Sequence, residues 1–288
     1  MAEATHARRL WWALEPYHAV VYFAPDAKAT YEAIGLKGFW MGYFASRAAP
    51  LGPVPAEVVT ATFFNFHPAM VTRAIPDAWQ LATPDQIIAA RLDHADRTLR
   101  NLLGDERLSS PELSEAAELA RRAAEAAMPQ GRPLFAAYTA LPWPQVSHLV
   151  LWHAATLLRE HRGDGHVAAL VHADVTPCQA HMLAMASGMT TRPVLDLSRR
   201  WAETDWDEAR DTLQQRGWLD ADSALTSAGV MARQQIEDHT DRLAEQPLRA
   251  LSEAQLSRLI EVASQLGQHI IAAGGIPFPN PMGLPDRL

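Results

Sequence analysis

The sequence predicts a mainly α fold. Helix-start signals recur along it ahead of apolar residues at helical spacing, while alternating β-branched runs are almost absent. The best strand candidates are short pieces between Trp218 and Leu225. Hydrophobic residues make up 48% of the 288 and charged residues 20%, which supplies a core and excludes a disordered or fibrous chain. At about 100 to 200 residues per domain the length suggests two compact units.

Taken in order, the first helix with a functional look starts at Phe39. On it residues 40, 43, 44 and 47 share a face, so Trp40, Tyr43 and Phe44 form an aromatic stripe ending in Arg47. A buried guanidinium demands a partner, which makes Arg47 the discordant member of an otherwise ordinary core stripe. Asn65-Phe66-His67-Pro68 adds two polar side chains to an apolar run, and Pro68 ends any helix there. Thr83-Pro84-Asp85 opens a helix whose apolar pattern stops at Gly104, and Ser110-Pro111-Glu112 opens the next. Pro129 to Pro133 and Pro142-Trp143-Pro144 interrupt the pattern, and a domain boundary is expected between them. This gives an N-terminal helical domain over 1–135 and a C-terminal winged-helix-like domain over 136–288.

Past the boundary, Val146 to His161 reads as a helix, Gly163-Asp164-Gly165 as a tight turn, and His166 to Ala173 and Pro177 to Ser187 as two short helices. Six of the twelve histidines fall between His148 and His181. A turn at the two glycines would let His161, Asp164 and His166 converge as acid–base groups. Trp152, His153 and Arg159 add polar or amphipathic groups to the preceding helix. Two imidazoles and a carboxylate could hold a metal, yet the spacing matches no metal signature, so no metal is expected and no cofactor is named. Cys178 with His181 one turn later is a weaker nucleophile pair. The single cysteine fits a reducing cytosol. No apolar run spans a bilayer and no signal-peptide pattern opens the chain, so no membrane partner is expected and a cytoplasmic location is. The Gly274 to Pro281 segment is a tail that must lie on another surface or stay loose.

Between Trp206 and Leu243 the order is helix, Gly stop, brief hairpin, helix. Leu213-Gln214-Gln215-Arg216-Gly217-Trp218-Leu219 and Leu225-Thr226-Ser227-Ala228-Gly229 resemble the second half of a MarR-like winged helix. More broadly, Leu14 to His18, Gly38 to Gly52, and Leu151-Trp152-His153 through Gly165-His166 are similar to an actinobacterial helix-turn-helix family of unassigned function. That resemblance implies a winged-helix unit in the C-terminal half and no particular activity. In a DNA-binding winged helix the recognition helix and wing carry basic residues. Here Glu203, Asp205, Asp207, Glu208, Asp211, Asp220 and Asp222 stand against Arg210 and Arg216, within a chain of net charge −8. DNA is therefore not the expected partner.

The function expected first is small-molecule binding, with an aromatic or anionic organic ligand held between the two halves by Trp40, Tyr43, Arg47, Asn65, His67, Trp152, His153 and Arg159. The second is an enzyme using His161, Asp164 and His166 on such a ligand. The third is a transcription regulator, a homodimer through Met231 to Leu243 and the apolar residues of Leu256 to Ile271.

Overall fold

Prolines at first helical turns and Ser or Thr caps set most of the helix starts. The computed structural model describes residues 5–286. Helix α1 (His6–Phe23) begins at Thr5, whose hydroxyl accepts from the Arg8 N–H at 3.2 Å. Helices α2 (Ala27–Glu32), α3 (Gly38–Ala48), α4 (Ala56–Phe63), α5 (Pro68–Thr72) and α6 (Asp77–Leu81) follow as short pieces. Helix α7 (Pro84–Leu108) starts with a reciprocal cap between Thr83 and Gln86. Its regular run ends where expected at Gly104, whose φ 74° and ψ 156° are non-helical, and a further short turn continues beyond it to Leu108. Helix α8 (Pro111–Glu125) is capped by Ser110, and α9 (Pro133–Thr139) follows the Pro129 to Pro133 break.

Helix α10 (Ser147–His172) corrects the expected arrangement, because it passes unbroken through Gly163-Asp164-Gly165. The glycines serve close approach instead of a turn. A Cβ on Gly165 would lie 2.7 Å from Arg132 Nη1 and 3.3 Å from Leu243 Cβ. Arg132 uses that gap to donate to the carbonyls of His161 and Leu243. Each mid-helix glycine costs about 1 kcal/mol of helix propensity, and burial of the helix against α1, α7, α8 and α9 outweighs it.

Beyond α10 lie α11 (Pro177–Ala186), α12 (Arg192–Arg199), α13 (Glu203–Gln215), α14 (Ser227–Ala244) and α15 (Glu253–Ala272). The expected strand pieces reduce to one antiparallel bridge between Leu219 and Leu225, with no longer strand among the described residues. Asp220 closes that hairpin by accepting from the N–H groups of Asp222 and Ala224.

Two apolar cores result. The first joins residues from α1 to the N-terminal half of α10 with α15, and the second gathers residues 169 to 236 around Trp206, Leu195 and Leu213. The expected boundary between 135 and 136 falls inside α9, whose Leu134, Phe135 and Tyr138 belong to the first core. Leu256, Leu259, Ile260, Leu266 and Ile270, read as part of a dimer interface, are buried in that core, where α15 packs on α1 and α8. The tail past Gly274 is fastened at buried Asn280, whose carbonyl accepts from the Thr190 hydroxyl at 3.3 Å and whose Oδ1 shapes the tail by accepting from the N–H groups of Met282 and Leu284.

The glycines differ in what they tolerate, and the difference is testable by urea unfolding. A Cβ on Gly229 would lie 2.0 Å from the Trp218 carbonyl oxygen, whereas one on Gly163 would meet only atoms at 3.7 and 3.9 Å. Gly229→Ala should cost about 3 kcal/mol. Gly163→Ala should gain about 1 kcal/mol of helix propensity. A tolerated Gly229→Ala would refute the close packing of α14 on the hairpin.

Candidate functional site

Helix α3 presents its stripe as the spacing predicts. The rings of Trp40, Tyr43 and Phe44 join Phe63 and Phe66 in one cluster, with Phe44 5.0 Å and Tyr43 5.4 Å from Phe66. Arg47 ends the stripe with its guanidinium 4.3 Å over the Phe63 ring, and Nη1 donates to the Tyr43 hydroxyl at 3.1 Å. Its Nη2 donates to both oxygens of Glu160 on α10, at 3.1 and 3.2 Å. Glu160 is 1% exposed and also receives Arg159 Nη1 at 2.7 Å. Burial pushes the Glu160 carboxyl upward, but Arg159 and Arg47 outweigh it and hold the group ionised, below its ordinary range. Arg159 reaches on to Glu15 of α1 at 3.6 Å, and Trp11 donates to Glu15 at 2.9 Å. Burial dominates there, and the Glu15 carboxyl titrates above its ordinary range.

A second polar group ties α1 and α10 to α14. Arg162 donates to Asp241 at 3.0 Å, Arg8 lies 2.8 Å from the same carboxylate, and both approach Glu237. His166 shares a 2.9 Å hydrogen bond with the Thr240 hydroxyl.

Between these groups lies a cavity of about 710 Å³. Helices α1, α3 and α10 and the segment joining α4 to α5 form one side. Helices α11, α12 and α14 form the other, and residues 281 to 285 of the tail complete the wall. Its lining holds six arginines, Arg8, Arg47, Arg159, Arg162, Arg199 and Arg233, against four carboxylates, Glu15, Glu160, Asp164 and Glu237. Burial raises the Asp164 carboxyl to about 6, which leaves it mostly ionised at pH 7 and neutral only in more acidic solution. Arg199 has no carboxylate within ion-pair distance among the described residues. The lining is thus electropositive in a chain that is acidic overall, with Trp11, Trp12, Phe63 and Phe66 as apolar surface.

Of the residues singled out from the sequence, Tyr43, Arg47, Asn65, Arg159, Asp164 and His166 line this cavity. The others do not. Trp40 packs inside the aromatic cluster, and Trp152 donates to the His18 carbonyl at 3.2 Å beneath the Arg91 guanidinium. His67 accepts the Ala69 N–H as the cap of α5. His153 stands edge-on to Trp143, and His161 edge-on to Phe135. The expected convergence of His161, Asp164 and His166 fails because α10 is continuous there. Asp164 instead accepts the Phe135 N–H at 2.9 Å and caps α9. Cys178 is buried with its thiol pushed up to about 12 by burial first and Asp205 second, and His181 binds the Asn65 carbonyl, so that pair is no activated nucleophile.

Sequence reasoning missed Glu15, Glu160, Arg8, Arg199, Arg233 and Glu237. The available signal was a charge at a core-facing helical position: Glu15 sits inside the apolar face of α1 and Glu160 inside that of α10. Among the described residues no cluster of three or more His, Cys, Asp or Glu is placed to hold a metal.

A family model described as a helix-turn-helix family matches residues 7–277. No curated protein and no solved structure matches the chain.

Burial pulls the imidazoles of His153, His166 and His181 down to about 4 and that of His161 to about 3, from an ordinary 6.5. The unfolded chain takes up protons below 6.5 while these native imidazoles stay neutral. Their contribution to stability is therefore complete above pH 6.5 and is lost as pH falls toward 4. Asp164 opposes this between 3.8 and about 6, because its native form holds the proton longer. His18 and His94 are lowered by burial as well, and Glu15 is raised like Asp164. Six histidines against two carboxyls therefore predict a urea midpoint that falls from pH 7 to 5, each net proton steepening the slope by about 1.4 kcal/mol per pH unit. A midpoint constant across that range would contradict the buried neutral state.

Proposed function

The chain belongs to that helix-turn-helix family, and from that premise we propose that it is a ligand-binding member. In this reading it holds a small organic acid with an aromatic or apolar body in the cavity between α10 and α11 to α14. One observation carries the reading: six arginines and an aromatic wall line a partly open cavity of about 710 Å³, while the lining supplies four carboxylates. Cavities of this size with a few convergent polar groups are the usual form of small-molecule sites. Planar guanidiniums suit carboxylate and phosphate groups, and the rings of Trp11, Trp12, Phe63 and Phe66 suit a flat body. Tyr43, Arg47, Asn65, Arg159, Asp164 and His166 are the sequence-identified residues this proposal retains. A panel of aromatic carboxylates and phosphates against their neutral amides and alcohols, read by thermal shift, tests it. An acid at about 100 times its Kd should raise Tm by roughly 5 °C or more, and the neutral partners should not. Equal shifts for charged and neutral members, or none for any, would remove the reading.

Family membership favours a second reading, a DNA-binding regulator. In it the α12 to α13 turn and the 219 to 225 hairpin form a MarR-like winged helix. The charge on that face opposes it. Glu203, Glu208, Asp211, Asp220 and Asp222 are exposed, and the two arginines there are engaged within the chain. Arg210 pairs with Asp207 at 2.8 Å, and Arg216 donates to the carbonyls of Ala173 and Asp174. Fluorescence anisotropy with duplex DNA discriminates the readings: a regulator binds with an affinity that falls steeply in salt, and this face predicts no saturable binding even at low salt.

A further inference from the structure

We propose that the cavity has a built oxyanion subsite at its aromatic end, where Arg199 and the Asn65 side-chain amide receive the acid group of the ligand, beside Arg47. The proposal rests on the ligand-binding reading and names the chemistry that this end of the cavity selects.

Among the six arginines lining the cavity, Arg199 is the one without a carboxylate within ion-pair distance among the described residues. It closes α12, and its guanidinium lies 4.4 Å over the Phe66 ring. Its one hydrogen bond to protein runs from Nη1 to the neighbouring Ser198 carbonyl at 3.0 Å, and its Nε is buried without a partner. The other five arginines of the lining each have a carboxylate within 4.0 Å. Arg47 stands in the same way over Phe63, and the two rings have centroids 6.5 Å apart. Two guanidiniums thus ride on adjacent rings of one wall, and Glu160 answers only Arg47. Burial, with Arg47 and Arg159 adding to it, pulls the Arg199 pKa down to about 10, as a missing counter-ion would.

Asn65 supplies the second observation. Phe64 sits at φ 57° and ψ −59°, and the Asn65 N–H donates back to the Phe63 carbonyl at 2.6 Å, which is a strained γ-turn at a non-glycine residue. Such strain persists only where its surroundings impose it, and it concentrates at ligand clamps. Here Phe63 and Phe66 are buried on either side, while the Asn65 carbonyl receives His181 Nε2 at 2.8 Å and Trp201 Nε1 at 3.2 Å. The turn fixes Asn65 on the cavity wall, yet its side-chain amide makes no hydrogen bond within the described protein, and its Oδ1 is buried without a partner. The His67 N–H bonds the Arg199 carbonyl at 3.3 Å, so the turn and the end of α12 are tied together. A carboxylate or phosphate oxygen placed there accepts from Asn65 Nδ2 and from the Arg199 guanidinium, the latter bond charge-assisted, while the unpartnered Oδ1, an acceptor, is left for a hydroxyl or N–H donor of the ligand.

Isothermal titration of the full chain with benzoate, phenyl phosphate and benzamide tests the subsite and separates carboxylate from phosphate. The wild type should bind at least one acid at least about tenfold more tightly than benzamide. Arg199→Gln should weaken that acid about 10- to 100-fold and leave benzamide within about twofold, and Asn65→Ala should weaken the acid about tenfold. Without ligand, Arg199→Gln should keep or raise Tm, since it removes an unanswered cation; a merely structural arginine would lower it. Exposed Arg200→Gln should change none of these. Acid binding that survives both Arg199→Gln and Asn65→Ala within twofold overturns the subsite while leaving the cavity reading intact. Failure of the wild type to bind any of the three probes overturns both. Should Arg199→Gln not fold, Asn65→Ala and the charge-preserving Arg199→Lys carry the same decision, the latter expected to retain part of the acid affinity.

Discussion

The constraint on which the rest of the structure depends is the ionised Glu160 carboxylate at 1% exposure in the middle of α10. A buried charge is costly unless it is paired and fully hydrogen-bonded. Glu160 is satisfied by two guanidiniums, one from the next residue of its own helix and one from α3, 113 positions away. That second bond is geometrically demanding. It requires α3 to lie beside α10 with its aromatic stripe toward the cavity, and it requires Arg47 to be flattened on Phe63 so that it can serve both oxygens. Arg159 then carries the network to Glu15 and Trp11 of α1, so three helices are registered around one carboxylate. Apolar packing of α1, α7, α8, α10 and α15 supplies the bulk of the driving force, but it does not by itself select one rotation of α3.

The same helix decides where the second core sits. Because α10 does not break at its glycines, its N-terminal half belongs to the first core and its C-terminal residues, Ala169 and Leu170, belong to the second. A stiff helix about 39 Å long at 1.5 Å per residue therefore runs between them. The cavity lies alongside its middle, where Arg159, Glu160, Arg162 and Gly163 form part of the wall. The polar clasp of Arg8 and Arg162 on Asp241 brings α14 to the same stretch. Polar groups thus meet where the apolar faces are interrupted.

How much of this was legible in the sequence follows from the range of the interactions involved. The starts of α7, α8 and α11 were legible, because proline and a Ser or Thr cap act within four residues. The α3 stripe was legible as well, and so was the need of Arg47 for a partner. The partner was not: Glu160 lies between two residues that did draw attention, and only the rotation of α10 points it inward. Gly163-Asp164-Gly165 reads locally as a turn, since nothing nearby announces that Arg132, 33 residues before Gly165, must cross the helix there. The tail shows the same limit. Its prolines forbid a helix, but its place on the cavity wall is set by Asn280 and by contacts that no short window contains.

Charge distribution supplies the last step. The chain carries eight more acids than bases, yet it gathers six arginines around one partly open cavity and leaves acids on the exposed face of α13 and its hairpin. Random placement of an acidic composition would line a cavity with acids as readily as it coats a surface. Guanidiniums set in a low-dielectric wall repel one another, as Arg47 and Arg159 do with Arg199. That repulsion works against folding; Glu160, Glu15, Glu237 and Asp241 answer five of the six arginines and leave Arg199 without a carboxylate. An arrangement that keeps such a cost concentrates positive potential where a bound anion is shielded from water and its attraction is strongest. Arg199, at the end of α12, contributes to that interior field, while the exposed acids of α13 and its hairpin lie outside it. On the proposed ligand-binding reading, the electrostatic complement of that interior is a small anion.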